Sequence, residues 1–188
     1  MVRWEPDAAG RLMRAAVELF AEHGVEATTV AAIAERAGVT ERTFFRYYSD
    51  KREVLFGDRA QFASLFIDGV RDAPVDASPL DAVAAGLHAA VEFFPAGHRA
   101  DSRVRGTVIA ANPGLQEREL LKMAAVAEGM AEALRERGVT EPAATIAARS
   151  GIAVFSSAFA AWLSEGETRE MAQLVDDGLN ELRAIGAG

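Results

Sequence analysis

The 188-residue chain reads as an all-α protein of about nine helices. Three observations predict this class. Apolar residues recur at i, i+3 and i+4 over long stretches, and no run alternates as a half-buried strand does. Half of the residues are hydrophobic, alanine is prominent among them and aromatics are few. Gly24, Gly38, Gly138 and the proline-marked stretches 72–79, 95–98 and 112–114 fall between the periodic stretches, where helices stop and start.

Residues 1–6 read as a loose arm, a disordered end rather than one whose Arg3 and Trp4 reach a minor groove. From about Asp7 to His23, Leu12, Ala15, Ala16, Leu19 and Phe20 repeat at helical spacing, and Gly24 ends the helix. The next stretch, TTVAAIAERAGVTERTFFRYYSDK, runs from Thr28 to Lys51. Ile33, Ala34 and Ala37 give a short helix its apolar stripe. Gly38 stops it, since a C′ residue in the left-handed region carries no Cβ penalty when it is glycine. Thr40 stands where an N-cap hydroxyl starts a second helix. In that helix Phe44 and Tyr48, four apart, turn inward together. Arg42, Thr43, Phe45, Arg46 and Tyr47 are left at the surface or its margin. A short helix exposing arginine, hydroxyls and aromatics suits the DNA major groove, and the pair of helices reads as a helix-turn-helix.

Asp50 and Glu53 make a D-x-x-E start for a helix expected to run about twenty residues, with Val54, Leu55, Phe62, Leu65, Phe66 and Val70 on its apolar side. DAPVDASP (72–79) is a proline-marked loop. Pro79 opens a helix to about Phe94, with Leu80, Val83, Leu87, Ala90, Val91 and Phe94 inward. PAGH (95–98) breaks the chain again. A shorter helix runs from Asp101 to Ala111 and closes at Asn112-Pro113-Gly114. Residues 115–137 form a long amphipathic helix capped by Gly138. Residues 142–164 form another, rich in small residues beside Ile152, Phe155, Phe159, Trp162 and Leu163. The last runs from about Thr168 to Ile185 with Met171, Leu174, Val175, Leu179 and Leu182.

The net charge is −8, which argues against general nucleic-acid binding, so its distribution matters. Residues 1–60 carry 9 Lys+Arg against 10 Asp+Glu, and residues 61–188 carry 11 against 18. Within 40–52 the count reverses to 4 (Arg42, Arg46, Lys51, Arg52) against 2 (Glu41, Asp50). Positive charge therefore sits where phosphates would lie. The absence of cysteine excludes a disulfide scaffold and thiol catalysis. His23, His88 and His98 lack metal-ligand spacing, so no metal and no cofactor is expected. No phosphate loop, nucleophile elbow or zinc-protease signature occurs, which argues against an enzyme. The first residues lack the apolar run of a signal peptide, and no window reaches about 18 uninterrupted apolar residues. A cytoplasmic protein without a membrane partner is expected.

The string from Leu19-Phe20 through His23-Gly24, Thr28-Thr29, Ile33-Ala34, Ala37-Gly38-Val39, Thr43-Phe44-Phe45-Arg46-Tyr47-Tyr48 and Lys51 to Leu55 resembles the DNA-binding domain of TetR-family transcriptional regulators. It covers about a quarter of the chain. The resemblance implies a three-helix DNA-binding head over residues 1–50 and a helical effector-binding and dimerisation body over 51–188. It implies DNA contacts from Thr29, Thr40, Arg42, Thr43, Phe45, Arg46, Tyr47 and Lys51. Arg42 and Thr43 would face base edges and neighbouring phosphates, while Thr40, Tyr47 and Lys51 would anchor phosphates. The chain departs from the family pattern with Phe45 for the usual tyrosine, Tyr47 for a frequent histidine and Ala31 for a frequent arginine.

The same resemblance implies a small-molecule effector held between body helices. Phe62, Phe66, His88, Phe94, Arg105, Val108, Met123, Phe155, Phe159 and Trp162 are its candidate contacts, although each apolar one is also a good core residue and plain packing is the favoured reading for any single one. Their aromatic, mostly uncharged character suits an apolar or aromatic effector. A homodimer partner would pack on the last two helices, through Ala148, Ile152, Phe155, Phe159, Leu174, Leu179 and Leu182. The expected function is a transcriptional regulator, a repressor on a palindromic double-stranded DNA operator, released by its effector. The rival reading is a helical small-molecule or protein-binding module whose head does not bind DNA.

Overall fold

A computed structural model describes residues 7–57, 59–94 and 96–187, so Arg3 and Trp4 lie outside the described residues. Among these, nine α-helices and no strand occur: α1 (Ala8–His23), α2 (Val30–Arg36), α3 (Glu41–Tyr47), α4 (Arg59–Arg71), α5 (Pro79–Val91), α6 (Arg99–Ala110), α7 (Pro113–Glu136), α8 (Ala143–Leu163) and α9 (Met171–Ala187). They fall into two compact units. One contains the residues before Arg59 together with Ala100–Glu119, and the other contains Arg59–Arg99 and Leu120 onward.

In the first unit, α1 buries Leu12, Ala15, Ala16, Leu19 and Phe20 against Ile33, Phe44, Tyr48, Val54 and Leu55. Val108 and Ile109 of α6 and Leu115 of α7 complete the same core. The α2 terminus is a two-bond C-cap: Gly38 N donates to Glu35 O at 3.0 Å and Val39 N to Ala34 O at 2.9 Å. Gly38 has φ +67, which is why glycine stands there. Thr28 is buried, and its hydroxyl donates to Gly24 O at 2.9 Å. Across the outer faces, Arg36 of α2 pairs with Glu18 and Glu22 of α1.

The twenty-residue helix expected after Asp50 is not formed. Asp50 Oδ1 does accept from Arg52 N and Glu53 N, at 2.7 and 3.1 Å, but the turn that it starts is a 3-10 turn over Glu53–Phe56. Gly57 then takes φ +59, and α4 starts only at Arg59. The cause is tertiary. Val54, Leu55 and Phe56 are all buried in the head core, and three consecutive residues of an ideal helix cannot all face one side. Leu55 O, which would have accepted a helical bond, accepts from Arg105 Nε at 2.6 Å instead.

In the second unit, α4 and α5 lie close together at two glycines. A Cβ on Gly69 would sit 2.7 Å from Gly86 Cα, and one on Gly86 would sit 2.5 Å from Phe66 O. Ser78 Oγ caps α5 by accepting from Asp81 N at 3.2 Å, with Pro79 in its first turn as expected. Arg137 donates to the carbonyls of Arg71, Ala73 and Pro74, closing the end of α4. α8 is long and apolar enough to cross a membrane by length and composition. In the fold, however, its Ala144, Ala148, Val154, Phe155 and Trp162 are buried in the core of the body.

Candidate nucleic-acid interface and body site

The second helix of the helix-turn-helix is seven residues long, too short to persist without caps and packing. Thr40 Oγ1 accepts from Thr43 N at 3.1 Å and lies 3.1 Å from Thr43 Oγ1. Phe44 is 0% exposed, with Tyr48 beside it at 5.6 Å between ring centroids. These two rings fix the rotation of α3 about its axis. That rotation leaves Phe45 55% and Tyr47 43% exposed, with Arg42 and Arg46 also at the surface. Thr43 is half-buried beside its cap partner. The Arg46 guanidinium lies over the Tyr47 ring, 4.9 Å from its centroid, and its Nη2 is 3.3 Å from the phenol oxygen. Cation and hydroxyl are thereby held together, an arrangement suited to phosphate.

Thr29 is the N-cap of α2, its hydroxyl accepting from Ala32 N at 3.1 Å. Lys51 ties the loop before α2 to the end of the head, since its Nζ donates to Glu26 O at 3.1 Å and Thr28 O at 2.8 Å. An ammonium carries three protons, so these bonds leave one for another acceptor. The structure thus gathers the residues of α3 on one exposed face. Thr29 and Lys51 act as parts of the local scaffold through these bonds.

Elsewhere in the same unit, Arg118 pairs with Asp50 at 3.2 Å and with Glu53, and Arg105 pairs with Glu119 at 3.1 Å. Partial burial raises the Asp50 pKa, but the two backbone N–H bonds and Arg118 outweigh it, so the carboxyl sits below its ordinary value. Sequence reasoning missed Arg118. Its only sequence signal is a basic residue on a helix otherwise assigned to the body.

Candidate effector residues are divided between the units. Phe62, Phe66, Phe94, Phe155, Phe159 and Trp162 form one ring cluster in the body. Centroid spacings include 5.1 Å for Phe62–Phe66, 5.0 Å for Phe66–Phe155 and 5.1 Å for Phe94–Phe159. Phe159 stacks on Trp162 at 5.9 Å. Phe93 joins through Phe62 at 5.6 Å, and Met123, partly buried, packs against the core of the body. Lys122 Nζ lies 3.8 Å from the Phe62 centroid. Such edge and face contacts are worth about 0.5–1.5 kcal/mol each beyond the area they bury.

Arg105 and Val108 are in the head unit instead: Arg105 holds Leu55 O and Glu119, and Val108 is head core. His88 is at the surface of the body, 2.8 Å from Asp176 Oδ1. Arg99, not anticipated from sequence, lies 5.0 Å over the Trp162 ring. Its Nη1 and Nη2 donate to Glu167 O and Arg169 O.

Of the dimer candidates, Ala148, Phe155, Leu174 and Leu179 are closed within the chain's own core. Ile152, Phe159 and Leu182 are partly exposed. The exposed stripe of α8 consists of Ile146, Arg149, Ala153, Ser156, Ser157 and Ala160, and Ile185 is exposed on α9. No group of three or more His, Asp or Glu side chains is placed to hold a metal among the described residues.

Comparison with known proteins agrees with this layout. Residues 12–56 match the family model described as bacterial regulatory proteins, tetR family. Residues 77–186 match that of the MftR C-terminal domain. The HTH-type transcriptional regulator TcmR of Streptomyces glaucescens is 31% identical over 145 residues, covering 76% of this chain and 60% of that protein. The chain thus spans less than two thirds of that relative's length. Among solved structures, the SmeT–triclosan complex superposes with TM-score 0.63 at 22% identity, covering 95% of this chain and 90% of that one. FadR of Bacillus subtilis with stearoyl-CoA gives 0.61 at 17%, covering 92% and 96%. At these identities the structures establish the fold alone. The two family models together account for most of the described chain, and the chain belongs to the TetR family of transcriptional regulators, with a body of the MftR type.

Proposed function

We propose that the chain is a homodimeric repressor of the cytoplasm that binds a palindromic operator and is released from it by a small apolar or aromatic effector. The observation that carries this reading is the fixed rotation of α3. Phe44 and Tyr48 are locked inward, and Arg42, Thr43, Phe45, Arg46 and Tyr47 present one continuous face. Arg42 and Thr43 meet base edges, and Phe45 packs on a thymine methyl or sugar. Thr29, Thr40, Arg46, Tyr47 and the remaining Lys51 proton take phosphates, which set register and carry no sequence choice. DNA contacts fall in residues 1–50, and effector binding and dimerisation in 51–188.

One head gives little specificity, and two heads read half-sites one or more turns apart. The exposed small residues of α8, with Ile146, Ile152, Leu182 and Ile185, are the surface on which a second copy approaches. The ring cluster is the effector site, a reading supported by the triclosan of SmeT and the stearoyl-CoA of FadR when carried to this chain. An effector favouring one body conformation lowers operator affinity by its differential affinity for that state. No catalysis is part of this account.

The test is selection of binding sites from a random duplex pool, with Thr43→Ala/Tyr47→Ala as control. A palindrome recovered by the chain and lost by the control supports the reading. No motif from either protein moves the assignment to a helical binding module whose head does not read DNA.

A further inference from the structure

The body contains buried donors that its own packing does not satisfy. Trp162 is 0% exposed, and its indole Nε1 has no hydrogen-bond partner. Arg99, whose guanidinium lies over that ring, commits both terminal nitrogens to the carbonyls of Glu167 and Arg169. Its Nε is likewise enclosed and without a partner. Buried polar groups are nearly always paired, and a donor left unpaired inside a protein is a standing cost that calls for an explanation. Here two such donors belong to groups in direct contact, at one end of a cluster otherwise made of phenyl rings. The cluster is not closed: Phe93 is 43% exposed, and Phe94 and Phe159 are partly exposed.

We propose that the effector is a flat, apolar or aromatic molecule bearing a carbonyl or carboxylate oxygen, which accepts from Trp162 Nε1–H and Arg99 Nε–H. The inference rests on the ring cluster being the effector site. Rings that already meet edge-to-face offer a flat guest the same contacts that they make to one another. The two donors add what the rings lack, a point of orientation. The permanent charge of Arg99 favours an anionic acceptor over a neutral one. A site built to donate a hydrogen bond discriminates against a ligand of equal shape that cannot accept one, because the donors then stay unpaired.

The experiment compares three probes of one shape on the full chain: 2-naphthoate, 2-acetylnaphthalene and 2-ethylnaphthalene. Affinities are measured by calorimetry, and the two tryptophan indole N–H resonances are followed by NMR. The expected result is that both oxygenated probes bind about tenfold or more tighter than the hydrocarbon, the acid most tightly. The Trp162 indole proton moves downfield with these two alone. Trp162→Phe assigns the resonance and narrows the gap between the oxygenated probes and the hydrocarbon, while Arg99 still ranks the acid first. Equal binding of all three probes with an unmoved indole proton overturns the acceptor and leaves the effector site standing. Binding by none overturns both. If Trp162→Phe does not fold, the resonance of the unaltered chain decides, its assignment taken from backbone-linked spectra.

Discussion

Replacing Gly86 by alanine sets two known effects against each other. In a helix interior alanine is favoured over glycine by about 1 kcal/mol, so the change would stabilise an isolated α5. In the folded chain the new Cβ would lie 2.5 Å from Phe66 O and 2.9 Å from Val70 Cγ2. The Val70 methyl belongs to a side chain that can shift slightly. The Phe66 carbonyl belongs to the α4 backbone and cannot turn away without breaking its own helical bond. α4 and α5 must therefore separate, and overpacking of this kind costs about 1–3 kcal/mol. With the backbone as obstacle the upper end applies, leaving a net loss of about 2 kcal/mol after the propensity gain. For a chain of this size each kcal/mol moves the melting temperature by about 2–4 °C, so Gly86→Ala melts about 4–8 °C lower by calorimetry. Gly186→Ala is the control, because nothing lies within 4 Å of its Cβ; it leaves the melting temperature unchanged or slightly raised. A Gly86→Ala protein as stable as the parent, or more so, would refute the claim that these helices meet backbone to backbone.

Thr40→Ala removes the hydroxyl that caps α3 and should destabilise the head by about 1 kcal/mol in urea unfolding, whereas Thr40→Ser keeps the cap and most of the stability. Asp50 has a folded pKa below its unfolded value. Its contribution is therefore complete above about pH 4 and is lost as pH falls through the lowered value. Asp50→Asn should unfold more readily than the parent at pH 7, with the gap shrinking toward pH 3, as followed by helical circular dichroism. Lys51→Met should lower head stability by removing the ammonium that bridges Glu26 O and Thr28 O. The slope of operator affinity against log salt should also flatten by about one unit.

The helix-turn-helix was legible because its determinants are local. Gly38 and Thr40 act on backbone groups two to four residues away, and the four-residue spacing of Phe44 and Tyr48 sets the buried side directly. The break after Phe56 was not legible in that way. Val54 and Leu55 continue an apolar pattern, and Asp50 does cap the turn that follows. What ends the turn is the joint burial of Val54, Leu55 and Phe56 in the head core, with Arg105, fifty residues away, taking Leu55 O. The same distance effect moved Arg105 and Val108 out of the ring cluster, since a helix that shares its apolar face with the head core looks the same in sequence as one lining a body site. The ring cluster itself was foreseeable residue by residue, because aromatic residues on helix faces bury somewhere. Arg99 was not, since its role comes from one ring and two carbonyls in the α8–α9 connection. The dimer candidates show a further limit: Ala148, Leu174 and Leu179 have the stripe of an interface, but a chain's own core produces the same stripe.

The central claim is that two α3 faces read one operator together. It is tested most directly by sedimentation of the chain with a labelled duplex carrying the selected site, alongside Arg42→Ala/Tyr47→Ala. The account predicts two chains per duplex, an affinity that falls steeply with salt, and no site-specific complex with the double variant. One chain per duplex, or a variant that binds the site as the parent does, would contradict it.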